Sequence, residues 1–99
     1  MAQIFVAMTY DVKPRKRREF LAWIKKVRRH IRRLHGPNYT ILEDKDIANR
    51  FTEVFICPNK AAYKKLEELH DVRLDKYMWE MDRFVGNRET AVFHTLVEI

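Results

Sequence analysis

"YTILEDKDIANRFTEVFIC", residues 39–57, reads as two strands joined by a polar loop. "YTILED" (39–44) and "RFTEVFIC" (50–57) are short runs rich in β-branched and aromatic residues, and "KDIAN" between them predicts a hairpin with several loop residues. What lies on either side of this hairpin decides the fold.

Upstream, Phe20, Trp23, Ile24, Val27, Ile31 and Leu34 recur at helical spacing and share a sector of about 100°. They predict a helix from about Pro14 to Leu34, entered through Pro14 and ended by "HGPN" (35–38). Before it, "QIFVAMTY" (3–10) alternates Ile4, Val6, Met8 and Tyr10 with Phe5, Ala7 and Thr9, the pattern of a strand covered on both faces. Downstream, Pro58 and Asn59 stop the third strand and open a second helix from about Lys60 to Val85. A break is expected near "HDVR" (70–73), because an unbroken run would be long for so small a domain. "GNRE" (86–89) then turns into a last strand, "TAVFHTLVEI" (90–99).

The order β-α-β-β-α-β predicts an α+β, ferredoxin-like domain spanning residues 1–99, with a four-stranded antiparallel sheet and both helices on one face. Two helices cover one face only. Phe5, Ala7, Phe51, Phe55, Ala91, Phe93 and Val97 are expected on the other, and so many apolar side chains predict an interface. A homodimer with two sheets packed face to face, a dimeric α+β barrel, satisfies them.

The charge is unevenly placed. Residues 13–38 hold eleven Lys or Arg and one Glu, whereas the rest of the chain holds nine basic and thirteen acidic residues. Arg28, Arg29, Arg32 and Arg33 lie opposite the apolar stripe of the first helix. They read either as a solvated face, partly neutralised by acidic residues of the second helix, or as a contact for nucleic acid or an anionic membrane surface. The N-terminal apolar run precedes its basic cluster, the reverse of a signal peptide, and Cys57 has no second cysteine to pair with. Both features lead to the expectation of a cytoplasmic protein.

The hairpin also carries a resemblance. Tyr39, Asp44, Arg50, Phe51, Glu53 and Phe55 match an aromatic, then an Asp after the strand, then Arg-Phe-x-Glu-x-Phe. In this the chain resembles the dimeric α+β barrel superfamily, which includes the antibiotic-biosynthesis monooxygenase-like proteins. It looks nearest to the soluble C-terminal domain of some major-facilitator-type transporters. "VFHTLV" (92–97) is similar to the last strand of that family, where His94 takes the place of a recurring His. The detailed likeness covers some 25 residues. Two departures stand beside it: "CPNKAAY" (57–63) lacks the Trp often found after the third strand, and the first strand lacks the Asn of haem-degrading members. The resemblance implies a homodimer with an apolar pocket for a small hydrophobic or aromatic ligand. The superfamily spans oxygenases, haem degraders and ligand binders, so the resemblance implies a pocket and not a reaction. The expected function is cofactor-independent monooxygenation of a phenolic or quinol-type compound, with a non-catalytic ligand-binding or interaction module as the alternative.

Several residues could carry such chemistry. His70 sits mid-stripe among Leu66, Leu74, Tyr77, Met81 and Phe84, either as a core histidine or as a general base in an apolar pocket. Glu53 and His94 read either as a rim ion pair and a strand residue or as walls of that pocket. Tyr10, Tyr39, Tyr63 and Tyr77 could orient a ligand through their hydroxyls or simply pack. No metal or cofactor is expected: Glu67-x-x-His70 is a single motif, Cys57 has no partner at zinc spacing, and two glycines cannot form a phosphate loop. The chain has no Ser to serve as a nucleophile.

Overall fold

The strand Ile4–Asp11 (β1) lies at the centre of the sheet, antiparallel to a neighbour on each side in the computed structural model. That structure describes residues 2–36, 38–69, 71–86 and 91–99. The helix Arg17–His35 (α1) follows a 3₁₀ turn at Pro14–Lys16, then come the strands Tyr39–Glu43 (β2) and Arg50–Cys57 (β3). The helices Lys60–Glu67 (α2) and Val72–Glu80 (α3), a second 3₁₀ turn at Met81–Arg83 and the strand Val92–Val97 (β4) complete the order. The strands run β2-β3-β1-β4 and every pair is antiparallel, so the expected ferredoxin-like α+β architecture is the one found.

Local chemistry explains the boundaries. α1 stops at Gly36, whose φ of +91° few other residues tolerate, and the Gly36 N–H closes the helix on the Arg32 carbonyl at 2.8 Å. The anticipated break in the second helix is real: Asp71 caps a new helix, its carboxylate accepting from the Leu74 N–H at 2.8 Å. β2 ends one residue early because Asp44 turns the chain, accepting from the N–H groups of Asp46 and Ile47 at 2.8 and 2.9 Å. Glu43 then ties the hairpin to α1. It takes a two-pronged grip from the Arg17 guanidinium and the Asn49 N–H at 2.8 Å, and these hold its pKa down at about 2.

Register settles which face is which. Tyr10 pairs with Phe51, Met8 with Glu53 and Phe93, and Val6 with Phe55. Paired residues share a face, and this one lies under the helices. Its core is aromatic: Phe20 of α1 sits 4.7 Å from Phe51 and 5.9 Å from Tyr10, and Trp23 sits 5.0 Å from Phe84. Phe51, Phe55, Phe93 and Val97 therefore belong to the helix side, not to the open side where the sequence suggested them. Alternation fixes parity within a strand but not between strands. The open face carries Phe5, Ala7, Val54, Ile56, Leu42, Val92 and Leu96, with a Thr9–Thr52 hydroxyl pair at 2.8 Å near its middle. Leu42 and Leu96 are more than half exposed, and no layer among the described residues covers them.

Candidate functional site

Between the sheet and the α1–α3 pair lies a cavity of about 240 Å³. The sheet supplies Val6, Met8, Glu53, Phe55 and Phe93, α1 supplies Trp23, Val27 and Ile31, and α3 supplies Leu74, Asp75, Tyr77 and Met78. Met81, at the end of α3, completes the wall. The volume falls just below the ~300–1,000 Å³ of drug-sized sites, which suits a compound of one or two fused rings.

Glu53 is the chemical feature of this wall. It is only 7% exposed, and the Tyr39 hydroxyl donates to its Oε1 at 2.5 Å. Burial raises its pKa, opposed by the phenols of Tyr39 and Tyr10. The Tyr10 hydroxyl feels the same carboxylate but makes no hydrogen bond of ordinary geometry. Burial first, and the Glu53 charge second, push both phenols far above the usual tyrosine range, so they stay protonated donors. A buried carboxyl that holds its proton more tightly than usual, set in apolar surroundings, is suited to accept a proton from a weak acid lying against it.

A second polar group stands where α1 meets α3. His30 Nε2 lies 2.7 Å from Asp71 Oδ1, and its ring meets Tyr77 edge-on at 5.9 Å. The His30 hydrogen bond holds Asp71 below the ordinary carboxylate range, so Asp71 accepts and His30 Nε2 carries the proton. His30 Nδ1 is buried with no partner among the described residues. Nearby, Trp23 Nε1 donates to Glu80 Oε2 at 2.8 Å, which fixes the indole on the cavity wall.

The expected site residues divide. Glu53 and Tyr77 line the cavity, Tyr39 holds Glu53 from behind through its hydroxyl with the Tyr10 phenol nearby, and Glu53 has no ion-pair partner among the described residues. His94 does not join them, because it pairs with Ala7 and so faces the open side of the sheet. Tyr63 lies on α2, away from the cavity wall. His70 lies outside the described residues. His30, weighed with His35 only as a poor cation site amid arginines, stands seven residues after Trp23 on the same helical stripe. Among the described residues no group of three His, Cys, Asp or Glu could hold a metal ion.

No protein-family model matches this sequence, and no curated protein does. Solved structures do match. A candidate antibiotic biosynthesis monooxygenase of Caulobacter crescentus superposes with a TM-score of 0.76 at 16% identity, over 99% of this chain and 91% of its own. The chain has the fold of the antibiotic biosynthesis monooxygenases. SnoaB of Streptomyces nogalater, described as a cofactor-independent oxygenase and solved as a single-site variant, shares this monooxygenase fold. It aligns with a TM-score of 0.68 at 11% identity, over 95% of this chain and 90% of its own. The protein SO0527 of Shewanella oneidensis has the same fold, with a TM-score of 0.73 at 21% identity over 97% and 90% of the two chains.

Proposed function

We propose that this chain binds a small phenolic or quinol-type compound in the cavity and oxidises it with molecular oxygen, without a bound cofactor, Glu53 accepting the phenolic proton. The observation that carries the reading is a buried carboxyl of raised pKa on the wall of an otherwise largely apolar, ring-sized cavity. Likeness of fold to a cofactor-independent oxygenase supports it. Proton loss makes the ring electron-rich enough to reduce oxygen directly. One oxygen atom enters the ring carbon opposite the hydroxyl and the other leaves as water, so a phenol and O₂ give a quinone and H₂O. Tyr39 keeps the Glu53 carboxyl in place by its hydrogen bond.

Two further parts belong to this proposal. The apolar open face of the sheet is covered by a second copy, which makes the active form a homodimer. His70, placed mid-stripe by the sequence, is a second proton acceptor for the same pocket. A buried lone thiol at Cys57 fits a reducing cytoplasm.

An oxygen electrode tests the reaction. With 1,5-dihydroxynaphthalene, whose carbon opposite each hydroxyl is free, wild-type protein should consume one O₂ per 5-hydroxy-1,4-naphthoquinone formed and release no hydrogen peroxide, and Glu53→Gln should lower the rate by about 10²–10⁴-fold. Tight binding of the compound without oxygen uptake would make this a ligand-binding module instead.

A further inference from the structure

We infer that the outer face of α1 is a binding surface for the phosphate backbone of a nucleic acid. Lys25, Arg28, Arg29 and Arg32 line a single groove on that face. Two of them are held against the fold: Arg28 is half-buried, and Arg32 Nε donates to the Tyr39 carbonyl at 3.1 Å. None of the four has an ion-pair partner among the described residues.

Acidic residues of the second helix were expected to neutralise this charge in part, and two carboxylates of that segment are engaged elsewhere. Asp71 faces His30, while Glu80 takes the Trp23 indole and pairs with Lys76 and Arg83 of its own segment. The groove is therefore left without a counter-charge from α3 at these two positions. Cations three and four apart along one helix repel each other, and a surface built for solubility alone would intersperse both signs. An external anion resolves the repulsion.

The chemistry of the face favours nucleic acid over membrane. A helix that lies in a bilayer surface buries an apolar face in lipid, but Phe20, Trp23, Ile24, Val27 and Ile31 are already committed to the core. What α1 presents outward is mostly Arg and Lys, and a guanidinium matches a phosphate bidentately. Nineteen residues of helix extend about 28 Å, long enough to follow several phosphates. This surface is separate from the cavity, so the inference does not depend on the oxygenase reading.

Fluorescence anisotropy with a labelled DNA duplex and with a labelled RNA tests it on the full chain. Four phosphate contacts predict that log K falls against log salt with a slope of about −4 for the duplex, roughly a hundredfold loss for a fourfold rise in salt. Combined Lys25→Gln and Arg29→Gln should weaken binding at least tenfold and reduce the slope by about two. Lys25→Arg should bind as wild type, and unchanged melting of all variants shows that the fold is intact. No affinity for either nucleic acid at low salt, unchanged binding by the double variant, or stronger binding to phosphatidylserine vesicles or polyglutamate would overturn the inference.

Discussion

The Tyr39 hydroxyl donates to the Glu53 carboxylate at 2.5 Å across adjacent strands, and both side chains are buried. Tyr39 starts β2 and Glu53 lies in the middle of β3, so the central hairpin delivers an oriented carboxyl to the cavity from behind.

Tyr39→Phe removes the donor and keeps the ring. The phenol opposes the effect of burial on Glu53, so the Glu53 pKa should climb further in this variant. The buried carboxylate also loses its hydrogen bond, which should cost about 1–3 kcal/mol in denaturant unfolding at a pH where it is ionised. A Glu53 titration unchanged by Tyr39→Phe would detach the two residues.

Glu53 should leave a signature in stability against pH. With its folded pKa raised, the folded chain keeps a proton over a range in which the unfolded chain has lost it. Its contribution to stability is therefore full below the ordinary glutamate value of 4.5, declines as pH rises through the folded value, and then levels off. Glu53→Gln has no such proton. The wild-type melting temperature should fall relative to the variant over that window, and parallel curves would contradict the raised pKa.

The two-fold order of strands and helices was legible because each element carries its own punctuation: Pro14, Gly36, Pro58 and Asn59 in the chain correspond to element ends in the structure. The face of each strand was not. Phe51 and Phe5 were grouped together from alternation, yet the pairing of Tyr10 with Phe51 sets them on opposite sides. Register depends on contacts distant in sequence, which a period of two does not encode. Glu53 was visible through the Arg-Phe-x-Glu-x-Phe pattern, but its burial by two phenols required β1, β2 and β3 together. His30 was discounted because its neighbours in sequence are arginines, while its neighbours in space are Asp71 and Tyr77.

The open sheet face makes a prediction about assembly. Ile56 lies on that face, paired with Phe5, whereas Phe93 lines the cavity. Light scattering of wild-type protein should give twice the chain mass, and Ile56→Lys should give a monomer or aggregate. Phe93→Leu should remain dimeric. A well-behaved wild-type monomer at micromolar concentration would remove the second copy from the account.

His70 is tested by His70→Leu. Serving the pocket, it should be lost with little change in melting temperature while oxygen uptake collapses. A drop of about 1–3 kcal/mol in stability with turnover intact would instead mark a structural hydrogen bond.

The central claim is that Glu53 takes a proton from a phenol held in the cavity, and a bound chromophore reports this directly. 4-Nitrophenol changes its absorption when it ionises, so its spectrum can be followed at a pH below its own ionisation in water. On binding to wild-type protein the phenolate band should appear, and Glu53→Gln should bind the probe with no such band. The same spectrum in both proteins, with the probe bound to each, would contradict the account.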